Sequence, residues 1–170
     1  MTSVKDLIIQ EPKNHEQLEQ MYCLRWQVLR KPWDQPKGSE RDEKDTYQFK
    51  NTIPVIALIN DQVVGTIRLH QNTKDEGQLR YLAIDKEFRK KGIGSELILY
   101  SEKISKRLGF QKLILNARKT AAQFFKKLGY EIVGEGPCNW FIRWYYSNNN
   151  HSYIHNFWNS FILQCEKAWC

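Results

Sequence analysis

No apolar run in this 170-residue chain reaches the roughly 18 residues that a membrane helix needs, so no membrane span is expected. Cysteine is scarce. Cys23, Cys138, Cys165 and Cys170 are the four present, and no pair stands in C-x-x-C spacing. That excludes the common zinc and redox motifs and argues against a disulfide framework, so no metal site is expected. The opening MTSVKDLIIQ lacks the apolar core and small-residue cleavage site of a secretory signal, which makes a cytoplasmic protein the plain expectation. No internal repeat is evident.

The chain has the length of one domain with a real core, and its aromatic and aliphatic content is that of a globular protein. Its net charge of +7 fits an anionic ligand, and equally fits solubility or contact with nucleic acid.

Hydrophobic spacing divides the chain into elements. Val4 to Gln10 is a short apolar run closed by Pro12, a first strand. Asn14 with Gln17 reads as a capping box, and Leu18, Met21, Tyr22, Arg25 and Leu29 continue at helical spacing until Pro32. Cys23 lies within that helix and is expected to be a buried thiol. Lys31 to Lys50 is long and charged, a solvated loop by composition, although Trp33 needs something to pack on, and the loop could cover a substrate site. Ile53–Ile59 and Val63–His70 are strands joined at Asn60-Asp61-Gln62, followed by a turn to Gly77 and a strand Gln78–Ile84. A helix follows Gly94, with Gly109 just past its end and Phe110 folding back. Lys112–Ala117 is a buried strand. Thr120 with Gln123 is a candidate cap for a short helix burying Phe124, Phe125 and Leu128. Tyr130–Val133 is the last clear strand. The order β-α-β-β-β-α-β-α-β predicts an α+β layer arrangement with helices on a mixed, mostly antiparallel sheet.

Residues 138–170 differ from the rest. They hold four of the six tryptophans and no glycine, and Glu166 is their one acidic residue. Two readings stand: an aromatic last strand with a docking helix, or a segment unrelated to residues 1–137. An exposed aromatic tail would favour association, and a homodimer is one outcome.

Leu79 to Gly94, LRYLAIDKEFRKKGIG, organises the chain. A strand gives way to the basic Arg89-Lys90-Lys91, then Gly92-Ile93-Gly94 at a helix entrance. Glycines there let a bulky ligand approach the backbone. The free N–H groups of the first turn and the positive end of the helix dipole favour an anion. The local chemistry is that of a pyrophosphate cradle. An ordinary tight connection with solvated lysines is the plainer alternative. A dinucleotide fingerprint fits poorly, because its third glycine would fall at Leu97.

The pattern Arg89-x-x-Gly92-x-Gly94 after Leu82-Ala83-Ile84 resembles the acetyl-CoA signature of the GNAT acyltransferase superfamily. So do Val63–His70, Gln78–Ile84, Leu115–Arg118 and Phe124–Tyr130, in the same order, from Val4 to about Gly136. More narrowly, Leu24-Arg25-Trp26, Leu29–Pro32 and Gln35–Asp42 resemble bacterial YiiD-type proteins, in which a GNAT domain precedes a thioesterase-like domain that this chain is too short to hold.

The resemblance implies a three-layer GNAT fold and direct transfer of acetyl from acetyl-CoA to an amine of a small molecule or peptide. It implies that the backbone of Leu82, Ala83 and Ile84 holds the pantetheine like an added strand, with the Leu82 N–H at the thioester oxygen. It implies that Arg89, Lys90, Lys91, Gly92, Ile93, Gly94 and Ser95 hold the pyrophosphate, and that Asn116 touches the CoA arm. Phe125 stands where the family often has a tyrosine that protonates the leaving thiolate, and phenylalanine has no proton to give. Some members place a basic glutamate near Gln78. Here Glu76, His70 and Tyr81 are the candidates, each with a plainer role: solvated in a turn, capping a strand end, or packing. A non-catalytic acyl-CoA-binding module is the first rival, motivated by Phe125, Gln78 and the tail. A nucleic-acid binder ranks last, because its lysines show no aromatic interleaving.

Overall fold

Asn60 and Asp61 both take left-handed backbone angles, φ 48° and 61°, and this tight turn sets the register of the sheet's central hairpin. Short polar side chains adopt that region most readily among non-glycine residues, and the twist of such a turn matches that of paired strands. The computed structural model describes residues 6–45, 51–135 and 139–145. In chain order these form β1 Ile8–Gln10, α1 His15–Arg25, β2 Thr52–Ile59, β3 Gln62–Gln71, β4 Glu76–Ile84, α2 Ile93–Arg107, β5 Lys112–Arg118, α3 Ala122–Lys127, β6 Glu131–Glu135 and β7 Asn139–Tyr145. The strands make one sheet in the order β1-β2-β3-β4-β5-β7-β6. The β4–β5 pair is parallel and every other pair is antiparallel. None of the described helices is long and apolar enough to cross a membrane.

Both faces of the central strands are apolar, so both must be covered. Val55, Ala57, Ile59, Ile67 and Leu69 face Ile93, Leu97 and Ile98 of α2, with Phe110 and Phe125. Ile56, Leu58 and Val63 face Met21, Tyr22 and Leu24 of α1. The result is the expected three-layer arrangement. Leu97 and Ile98 are fully buried, and each contributes about 1.5–3 kcal/mol on that account. Helices α2 and α3 end alike. Gly109 (φ 81°) and Gly129 (φ 88°) turn the chain. The Phe110 N–H then reaches the Ser105 carbonyl at 3.0 Å, and the Tyr130 N–H reaches that of Phe125 at 3.1 Å.

Several expectations need correction. Strand β4 begins at Glu76, inside the supposed turn. The first helix does not simply stop at Pro32. Its α-helical part ends at Arg25, and a π turn (Trp26–Arg30) and a 3-10 turn (Lys31–Trp33) follow, where Pro32 is tolerated because it sits in the first positions of a new turn. Cys23 is exposed, not buried, because it lies on the helix face away from Met21 and Leu24. The charged segment after α1 is folded as far as Asp45. Trp26 Nε1 donates to the Gln35 carbonyl at 3.2 Å, Arg30 Nε donates to that of Ser39 at 2.9 Å, and Glu40 accepts from the Gly38 N–H at 2.7 Å. Thr120 caps nothing: a 3-10 turn, Lys119–Ala121, leads into α3 without a side-chain cap. Residues 139–145 pair as β7 between β5 and β6, while residues 146–170 lie outside the described part.

Candidate active site

Strands β4 and β5 part company. Their pairing runs from Glu76↔Lys112 to Leu79↔Leu115 and stops, although β4 continues to Ile84 and β5 to Arg118. The cause lies in β4. Against β3 it pairs Arg68↔Arg80 and Thr66↔Ala83, so Tyr81 and Leu82 together oppose Ile67. Tyr81 takes φ 56° at this bulge. A bulge bends its strand and sharpens the local twist, and here it swings β4 away from β5. The edge of Arg80–Ile84 therefore faces an opening with strand geometry and no partner strand, which suits an extended ligand carrying amide groups.

The opening leads to the start of α2. Arg89 Nε donates to the Ile84 carbonyl at 3.1 Å, folding the basic turn against the end of β4. Lys90 (φ 61°) and Gly92 (φ 84°) are both left-handed, and the Lys91 ammonium lies 5.0 Å from the Phe88 ring centre. Gly92 is the N-cap residue and offers no side-chain cap to the first turn of α2. A Cβ at Gly92 would meet nothing within 4 Å, so the space in front of that turn is open. The second glycine works differently. A Cβ at Gly94 would stand 3.3 Å from Phe124 Cζ, so this residue permits close packing of α2 on α3. Ile93 is buried in the core and presents only its backbone; Ser95 is half-buried beside it. The residues present thus fit a pyrophosphate at the helix start and an extended arm along β4.

The far wall carries the two remaining expected residues. Asn116 is exposed on β5, past the point where the strands separate. Phe125 is buried, edge-on to Phe124 at 5.1 Å and to Tyr130 at 5.7 Å between ring centres. Tyr130 is no substitute acid, since its hydroxyl donates to Glu102 Oε1 at 2.9 Å deep against α2.

The candidate bases are all engaged. Glu76 is buried, paired with Lys112 Nζ at 2.8 Å and accepting from Asn72 Nδ2 at 3.0 Å. His70 Nδ1 lies 2.8 Å from Thr52 Oγ1. Burial, helped by the charges of Lys44, Arg68 and Arg80, holds its pKa below the ordinary value and keeps it neutral at neutral pH. The Tyr81 hydroxyl donates to Asp42 Oδ2 at 3.0 Å, and burial raises its pKa, so it stays protonated.

Around Tyr81 stands a cluster that the sequence reading missed. The guanidiniums of Arg25, Arg68, Arg80 and Arg30 lie 4.6, 4.7, 5.5 and 5.8 Å from its ring centre. Arg25 Nη1 bonds Asp45 Oδ2 at 2.8 Å; Arg68 Nη1 bonds Asp45 Oδ1 and Asp42 Oδ2, each at 3.1 Å. Nε and Nη2 of both Arg25 and Arg68 are buried without a hydrogen-bond partner. The available signal was an arginine inside each apolar pattern, Arg25 in the stripe of α1 and Arg68 in β3. A surface recess of about 330 Å³ lies elsewhere, between α1 and the β2–β3 turn, and touches this region only at Asp85.

Residues 18–130 match the acetyltransferase (GNAT) family model. The chain belongs to that family. Over 124 residues it is 30% identical to the uncharacterized N-acetyltransferase YjcF of Bacillus subtilis, covering 72% of this chain and 84% of that one. It is 27% identical to N-alpha-acetyltransferase 30 of Schizosaccharomyces pombe over 126 residues, 70% of this chain and 81% of that one. Two solved structures share the fold. An aminoglycoside 6′-N-acetyltransferase complexed with coenzyme A has a TM-score of 0.73 at 22% identity, over 84% of this chain and 99% of that one. The PaiA N-acetyltransferase of Thermoplasma acidophilum, also with coenzyme A, has a TM-score of 0.68 at 18% identity, over 82% and 99%. This GNAT chain is an N-acetyltransferase by family.

Proposed function

We propose that this GNAT protein moves the acetyl group of acetyl-CoA directly to an amine of a small molecule or peptide. The observation that carries the reading is the separation of β4 from β5 beyond Leu79↔Leu115, in continuity with the uncapped start of α2. In this reading Leu82, Ala83 and Ile84 hold the pantetheine by their backbone. Gly92, Ile93, Gly94 and Ser95 offer N–H groups to the pyrophosphate, and Arg89, Lys90 and Lys91 add charge. Asn116 meets the acyl end of the arm from the β5 wall, and Phe125 packs beneath it.

The amine nitrogen attacks the thioester carbon. The C–N bond forms, the developing oxyanion is met by the Leu82 N–H, and the C–S bond breaks. Guanidiniums clustered at Tyr81 disfavour an ammonium, so they lower the acceptor's pKa and its proton passes to water. The thiolate takes its proton from water, since Phe125 has none. In this assignment Tyr81 is a fixed donor anchored on Asp42, and Glu76 pins the paired end of β4 to β5. The Leu24–Asp42 motifs further suggest kinship within the family to YiiD-type proteins.

The test is thiol release from acetyl-CoA with a panel of amines and mass spectrometry of the products. Amine-dependent release with an acetylated product is expected. Tight acetyl-CoA binding with no amine acetylated would instead favour the acyl-CoA-binding module that Phe125 suggests.

A further inference from the structure

We infer that the acceptor carries an oxyanion, a carboxylate or a phosphate, held between Arg80 and Arg118 on the two walls of the opening. This rests on the acetyl-transfer reading and names the acceptor's chemical class.

The two arginines are placed by the same event. Arg80 is the first β4 residue beyond the last β4–β5 pair, Leu79↔Leu115, and Arg118 ends β5 past that same pair. They share a face of the sheet. Leu113, Leu115 and Ala117 point into the core beneath α2, so Asn116 and Arg118 point the other way. Arg80 lies there too, against Tyr81, because the bulge turns two successive side chains toward α1. The cradle start at α2 lies on the opposite face, so a CoA arm and an acceptor would enter from opposite sides.

Neither guanidinium is neutralised. The Arg80 guanidinium lies over the Tyr81 ring and that of Arg118 over the Trp33 ring, at 4.6 Å, and among the described residues neither makes a hydrogen bond or ion pair. An aromatic face leaves the N–H edge of a guanidinium free, and that planar fork matches a carboxylate or a phosphate. Behind them, Asp42 and Asp45 are already bonded to Arg25 or Arg68, so neither carboxylate is given over to Arg80 or Arg118. The Trp33–Arg118 contact joins the turn after α1 to the β5 wall, which closes this end of the opening and fixes where the anion would lie.

The test uses two probes that resemble the anionic end of such a product, N-acetyl-β-alanine and inorganic phosphate, with the neutral amide of the first as control. Each is titrated into the full chain, with and without saturating CoA, by amide-resolved NMR. The acid or phosphate should shift the amides of Arg80–Leu82 and Asn116–Arg118 with an affinity at least about tenfold above that of the neutral amide. Arg80→Gln and Arg118→Gln should each remove most of that preference, and neither breaks an internal pair that folding needs. The tighter of the two anionic probes identifies the anion. Equal affinity for acid and amide, no binding of any probe, or a preference that survives both substitutions overturns the inference. Failure of CoA itself to bind would instead sink the acetyl-transfer reading, and the probe preference would still be read.

Discussion

Removing the Asp45 carboxylate is a severe small change away from the proposed acetyl-CoA cradle. Its two oxygens hold two fully buried guanidiniums, Arg25 at 2.8 Å and Arg68 at 3.1 Å. Neither arginine has hydrogen-bond partners to spare, since Nε and Nη2 of both already lack them. In Asp45→Ala, Arg25 loses its one carboxylate and Arg68 keeps only Asp42. Breaking a buried pair from one side costs about 3–5 kcal/mol, against a total stability on the order of 5–15 kcal/mol. The fall in melting temperature should be roughly 10 °C for a chain of this size. Arg25→Met should cost less, because Asp45 keeps Arg68 and the methionine fills part of the space. Urea unfolding with linear extrapolation measures both, and an unchanged slope would show that the unfolded state is not the cause. A loss below about 1 kcal/mol for Asp45→Ala, or a larger loss for Arg25→Met, would refute the reasoning.

Other expectations separate folding from binding. In Gly92→Trp the added Cβ meets nothing within 4 Å, so the change should cost folding mainly the strain of a left-handed non-glycine residue, about 1–2 kcal/mol, while abolishing acetyl-CoA binding; retained affinity would disprove the cradle. Gly77→Ala would place a Cβ 2.7 Å from both Leu113 Cδ2 and Phe110 Cδ2, and should destabilise by about 1–3 kcal/mol in urea; unchanged stability would show looser packing there. Burial raises the Asp42 pKa, but the Lys44 N–H, the Arg68 charge and the bonds from Tyr81 and Arg68 outweigh it, bringing it from 3.8 to about 2. A folded pKa below the unfolded one contributes stability above the unfolded value and loses it as pH falls through the folded value. The advantage of wild type over Asp42→Asn, about 1–2 kcal/mol for a partly solvated group, should therefore shrink as pH falls from 5 toward 2. A constant difference in unfolding free energy would contradict the assignment.

How much of this was legible depends on the range of the interaction. Strand β4, helix α2 and the glycines at its start follow from local pattern: alternation, a 3.6-residue stripe, and two residues with no Cβ. Both helix ends at Gly109 and Gly129 could be read from Leu-Gly-aromatic sequences because the capping bonds span only a few residues. The Arg25–Asp45–Arg68 core was not legible. Charge normally marks solvent, and here residues 20 and 23 positions apart neutralise one another inside the protein. The same long range hid the pairing of Glu76 with Lys112, 36 positions away, which turned a supposed solvated turn residue into a buried one. The bulge was invisible for another reason. Nothing about a tyrosine announces a left-handed backbone, and Tyr81 holds φ 56° because four guanidiniums and Asp42 fix its ring and hydroxyl from outside the strand.

Calorimetric titration of the full chain with acetyl-CoA tests the central claim most directly. One site of micromolar affinity, weakened by added salt as phosphate contacts require, is the result expected of a cradle at α2 and an open β4 edge. A folded chain that takes up neither acetyl-CoA nor free CoA would contradict it.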